Sequence, residues 1–150
     1  MSSRLFSATE MAEVFGGPVF KWTPELWDSS NSGAEGQVYA VQNSAKGFRI
    51  GNFCFIHGRL DLALTGAETL TGTDTAKIGN LPWSCVGGFP PAHFYIQSGV
   101  GSLPGTDLSG IVGINNSISL QSAGIDVTIA DISATGDYMF SAWYITNDAL

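Results

Sequence analysis

His57, Arg59 and Asp61 occupy alternate positions in the stretch KGFRIGNFCFIHGRLDLAL, residues 46–64. On a strand, that spacing puts an imidazole, a guanidinium and a carboxylate on one face, the parts of an acid–base group with an orienting acid. Alternate strand residues lie only about 7 Å apart whatever their role, so the spacing carries little information. A structural or surface role for the trio is the expectation. Cys54, Cys85, His57 and His93 offer four zinc-type donors, yet none of the short ligand spacings of structural zinc sites is present. Glu25 and Asp28 flank Trp27 and suggest a glycosidase carboxylate pair, but two acids in one aromatic-rich loop do not establish the separation across a sugar cleft that such enzymes need. Nucleophile elbows, phosphate-binding glycine loops and H-E-x-x-H helices do not occur in the chain. The sequence therefore predicts no catalytic residue, no metal ligand and no cofactor site.

Aromatic residues give a second type of chemistry. Trp22, Trp27, Trp83 and Trp143 have rings large enough to stack on sugars, although in β domains such rings more often fill cores or subunit interfaces. Trp83 lies in NLPWSCVGGFPPAHFYI beside Gly-Gly and Pro-Pro pairs, so it is the best surface candidate of the four, with a core position still the favoured expectation.

The chain that must position these residues has 150 residues, enough for one domain with a real core. Charged residues make up 13%, against about a quarter in ordinary domains. With a net charge of −7 and six Lys plus Arg, it lacks the basic footprint that a nucleic-acid backbone requires. No apolar run approaches the roughly 18 residues of a membrane span, and MSSRLFSATEMAEVFGG lacks the basic start and apolar core of a secretory signal. Synthesis in the cytoplasm follows as the expectation, and with it two buried free thiols at Cys54 and Cys85 rather than a disulfide.

Ser7 and Glu10 have capping-box spacing, and Phe6 and Met11 are placed for a hydrophobic staple. Met11, Val14 and Phe15 then share a face before Gly16-Gly17-Pro18, which predicts a short N-terminal helix. From there the pattern changes to short apolar or alternating runs at 19–23, 37–42, 48–50, 53–64, 76–78, 93–97, 110–114, 117–121, 126–129 and 138–145. Such a series predicts an all-β sandwich or barrel, with 28–36 as a linker. Gly51-Asn52 suits a type II′ hairpin, and Asn115-Asn116 marks a second tight turn. Along the long strand, Cys54, Ile56, Leu60, Leu62 and Leu64 form a core face, with Gly58 marking a bulge or a close backbone approach.

Four ordered motifs add a resemblance: FKWTPELW at 20–27, FRIGN at 48–52, AKIGNLPW at 76–83 and FSAWYITND at 140–148. In this series the chain resembles the β-sandwich domains of tailed-bacteriophage virion proteins, which occur as head-decoration proteins and tail-fibre tips. Gly47 stands where that family commonly has an aromatic, and Trp83 where Phe is common. The resemblance implies a jelly-roll-like antiparallel β-sandwich over residues 20–150, commonly a homotrimer, with no catalytic residues to carry over. It further implies a location on the virion surface after synthesis in the host bacterial cytoplasm.

Residues 1–19, too short for a fibre shaft, then become an attachment arm. Phe6, Met11, Val14 and Phe15 are its candidate contacts to the major capsid protein or a neighbouring subunit. A capsid decoration (cement) protein that stabilises the head is the favoured expectation. The alternative is a receptor-binding tip that docks on another tail-fibre protein and recognises a host surface glycan, with Trp83 and Phe89 as its candidate exposed loop contacts. Neither expectation includes nucleic-acid binding or membrane insertion.

Overall fold

A computed structural model describes residues 19–29, 44–65, 69–88, 90–99 and 101–149. The N-terminal helix with Phe6, Met11, Val14 and Phe15, the strand at 37–42 and Phe89 lie outside the described residues. Within them the protein is all-β, and its helical content is a single 3₁₀ turn at Ile129–Asp131.

Ten strands are present among the described residues: β1 (Phe20–Trp22), β2 (Glu25–Trp27), β3 (Ser44–Ile50), β4 (Phe53–Asp61), β5 (Lys77–Gly79), β6 (Pro91–Ser98), β7 (Ser109–Gly113), β8 (Ser117–Ser122), β9 (Ile125–Asp126) and β10 (Asp137–Ile145). All pairings are antiparallel, in the order β1-β3-β4-β10-β6-β7-β8-β5-β2, with β9 on β8. The two ends of this order, β1 and β2, are separated in sequence only by Thr23-Pro24. Three Cα steps, from Trp22 to Glu25, span at most about 10 Å, so the sheet curls until its two edges approach each other at this corner. Within the order, β6, β7 and β8 run consecutively and β10 returns beside β6, which is a Greek key. Together these features give the sandwich-like architecture that the sequence predicts.

Side-chain alternation explains where the core sits. On β4, Cys54, Ile56 and Leu60 are fully buried, and on β10, Tyr138, Phe140, Ala142 and Tyr144 point the same way. Leu26, Ile78, Val112, Ile118 and Leu120 from the other half of the sheet complete one buried cluster. Each such aliphatic side chain contributes roughly 1.5–3 kcal/mol. Gly58 resolves as a close approach: β3 and β4 keep regular register there, and an added Cβ would lie 2.5 Å from that of Ala45 and 2.7 Å from the Phe140 ring. The strand ends at Asp61 rather than 64; beyond it Leu62 and Leu64 donate to the carbonyls of Gly136 and Ala134, both at 2.8 Å, and Leu62 is buried while Leu64 is only partly buried at the core's edge.

The turns refine three sequence expectations. Gly51 has φ +57° between the paired Ile50 and Phe53, in keeping with a type II′ turn. Between Gly113 and Ser117 the loop has three residues and only Asn116 adopts a positive φ, so this hairpin is the three-residue kind with a left-handed third position. The run at 126–129 is split, with Ile125–Asp126 pairing as β9 and the 3₁₀ turn starting at Ile129. β2 follows Pro24 and has three residues, too short to show a period of its own.

Candidate functional site

The polar residues singled out by type and spacing fold into separate structural roles. Arg59 grips Asp137 through two hydrogen bonds, Nε to Oδ1 at 2.8 Å and Nη2 to Oδ2 at 2.7 Å, and reaches Asp61 at 3.4 Å. The Asp137 hydrogen bond is the main cause of a pKa raised above the ordinary arginine value. His57 stands beside this cluster on β4 with its ring near Phe55, centroids 6.4 Å apart. Arg59 is thus held by a carboxylate 78 positions away, which spacing within one strand had no means of revealing.

Cys54 and Cys85 are free and buried, whereas His57 and His93 are exposed. His57 belongs to the face of β4 opposite Cys54, so these donors do not converge on one ion. No group of three His, Cys, Asp or Glu residues able to hold a metal occurs among the described residues. Burial pushes the Cys54 thiol up to about 11, partly opposed by the Arg49 charge, and it also raises Cys85. Neither thiol is primed as a nucleophile.

Glu25 and Asp28 are each engaged elsewhere. Glu25 accepts the indole N–H of Trp27 at 3.1 Å, and Asp28, buried to 3% exposure, accepts the backbone N–H of Thr71 at 2.7 Å. Trp27 lies directly on Gly79, where a Cβ would meet its ring at 2.0 Å. Trp22 packs edge-on against Phe140 in the core. Trp83 is half-buried between Phe20, at 5.7 Å between ring centroids, and Gly47, where an added Cβ would lie 3.0 Å from its ring.

The fourth tryptophan is different. Trp143 on β10 is 46% exposed and stacks on Phe53 of β4 at 5.8 Å with 20° between the planes. It belongs to the outer face of β3, β4, β10 and β6, where cross-strand register lines side chains up in rows. One row runs Ile50–Phe53–Ile145 and the next Phe48–Phe55–Trp143, with Phe48 and Phe55 5.3 Å apart. A polar row follows, Lys46–His57–Ser141–His93, bringing both histidines of the chain to either side of Ser141. Beyond it Met139 lies between Arg59 and Tyr95, the latter 67% exposed. Two shallow depressions indent this face, one lined by Lys46, His57, Arg59 and Met139, the other by His93, Tyr95, Met139 and Ser141.

Spacing alone did not reveal this face. In FSAWYITND and the residues before it, both alternating sets are apolar: Phe140, Ala142 and Tyr144 on one side, Met139, Trp143 and Ile145 on the other. Pairing with β4 decides, because Tyr144 sits opposite the buried Cys54. The useful signal was the excess of large apolar residues over what one core face can absorb.

Comparison with protein-family models, with curated proteins and with solved structures gave no match.

Proposed function

We propose that the protein is a non-enzymatic structural component of a tailed-bacteriophage virion, a decoration protein that binds the head surface and stabilises it. The observation that carries this reading is the aromatic outer face of β3, β4, β10 and β6. It is a contact surface in a domain whose candidate acids and cysteines are committed to internal bonds or buried. The four ordered motifs supply the virion context. Within this reading residues 1–19, through Phe6, Met11, Val14 and Phe15, attach the sandwich to the major capsid protein, and the subunits assemble as homotrimers.

The glycan-binding tip is the weaker reading. Its sequence candidate Trp83 is half-buried and flanked by Phe20, whereas sugar stacking needs an open ring face. Electron microscopy of particles incubated with the purified, labelled protein tests the proposal. Regular labelling of the head, abolished by deleting residues 2–17, is the expected result. Labelling confined to the tail, or competition between the protein and phage for host cells, overturns it.

A further inference from the structure

The outer face raises the question of what covers it. Phe48, Ile50, Phe53, Met139, Trp143 and Ile145 are each 36–46% exposed, and Tyr95 more so. At roughly 200 Å² per large side chain, the contiguous rows of Phe48, Ile50, Phe53, Trp143 and Ile145 leave about 400 Å² of apolar surface in water, and Met139 and Tyr95 beyond the Lys46 row add about 200 Å². The first figure lies within the range of the largest patch a monomer exposes, and the whole face, with its polar row included, approaches the ~800 Å² per partner of a standard stable interface.

Charge narrows the choice of partner. The chain carries thirteen Asp plus Glu, yet β1, β3, β4, β6 and β10 contain only Asp61 and Asp137 among them, and both engage Arg59. Lys21 lies opposite Lys46 on the outer side, and the two histidines lie in the Lys46 row. Two copies of a chain with net charge −7 repel each other over most of their surface. This face lets them meet without opposing carboxylates. Its content also matches what interface centres favour: Trp, Tyr, Phe and Met, with acids depleted.

We infer that this face is where one copy of the chain binds a second copy, the rows Ile50–Phe53–Ile145 and Phe48–Phe55–Trp143 meeting their counterparts at the symmetry axis. The Lys21–Lys46 edge then lies at the margin of the contact, so that like charges remain apart and hydrated. In the homotrimer of the proposed reading the three copies of these rows converge on the three-fold axis; a two-fold pair would bury them face to face, and the measured mass then contradicts the trimer but not the use of this face. The stacked Phe53–Trp143 pair is the centre of the contact, since its rings are already ordered in the free subunit and lose little freedom on association. The inference rests on reading the outer face as the protein's working surface.

Light scattering on the full chain at micromolar concentration tests it. The wild type should have two or three times the 15.8 kDa subunit mass, and Phe53→Ser with Trp143→Ser should give a monomer with an unchanged far-ultraviolet circular dichroism spectrum. Ile125→Ser, an exposed apolar residue on β9, should leave the assembly intact. Should the double variant fail to fold, Tyr95→Lys with Met139→Lys, at the border of the same face, gives the same readout. A monomeric wild type overturns the inference, as does an oligomer that survives either pair of substitutions. Head labelling by a variant that has become monomeric leaves the decoration role standing and separates it from self-association. An oligomer that labels no head does the reverse.

Discussion

The guanidinium of Arg49 holds the backbone of Asp148, ninety-nine positions away in the chain. Its Nη2 donates to the Asp148 carbonyl, Nη1 to that of Ala149 at 3.1 Å, and Nε to that of Gly51 at 2.6 Å. The Asp148 carboxylate in turn accepts the Ser84 backbone N–H at 2.8 Å, the main cause of its lowered pKa. Val86 and Thr146 add backbone bonds to Ile145 and Asn52, so the end of the chain is bound to both the β3–β4 turn and the 84–86 loop. This arrangement fixes the hairpin end of the face that carries Phe53 and Ile145.

Arg49→Met should therefore lower unfolding free energy by about 2–4 kcal/mol in urea titration, since three charge-assisted bonds go while the buried stem is retained. Arg49→Lys should recover part of the loss, because an ammonium replaces the charge but not the three-way fork. Equal stability of Arg49→Met and the wild type would show that the clamp contributes nothing net.

A second clamp lies at the start of β10. The Tyr138 hydroxyl donates to the Gly99 carbonyl at 3.0 Å and accepts the Ser133 N–H at 3.3 Å, an arrangement like the tyrosine corner of Greek-key sandwiches. Its ring lies on Gly136, where an added Cβ would be 2.1 Å from the hydroxyl. Tyr138→Phe should cost about 1–2 kcal/mol and Gly136→Ala more, because the methyl group displaces the whole ring. The reverse order in thermal melts contradicts this account.

At the β8–β9 turn, Ala123 and Gly124 both have positive φ, +51° and +75°, as in a type I′ turn. Left-handed backbone disfavours Ala by about 1–2 kcal/mol and is readily adopted by Asn. Ala123→Asn, at an exposed position, should raise stability by about 0.5–1 kcal/mol. A lower melting temperature for this variant would count against the assigned turn.

Cys54 gives a pH signature. Burial raises its thiol from 9.0 to about 11, so between those values the unfolded chain releases a proton that the native chain retains. Stability from this group is complete below pH 9 and declines as pH rises towards 11, by on the order of 2 kcal/mol. Denaturant midpoints should fall across that window, and Cys54→Ala should flatten the decline. A thiol reagent at neutral pH should modify the native protein far more slowly than the unfolded chain.

Local pattern determined much of this molecule. The inward positions Cys54, Ile56, Leu60 and Leu62 follow from a period of two, as does the all-β class, and the turn at Gly51 follows from a residue free to adopt positive φ. Tertiary pairing decided the rest. β10 carries apolar residues on both sides, and only its register against β4 assigns Tyr144 to the core and Trp143 to the outside. His57 and His93, thirty-six positions apart, share a row because β10 lies between their strands. Arg59 meets Asp137 rather than serving His57, and Arg49 faces inward although its neighbours Phe48 and Ile50 face out. A strand's alternation is written into adjacent residues, but its partners and the side that faces the core are set by contacts between distant segments, which local spacing does not encode.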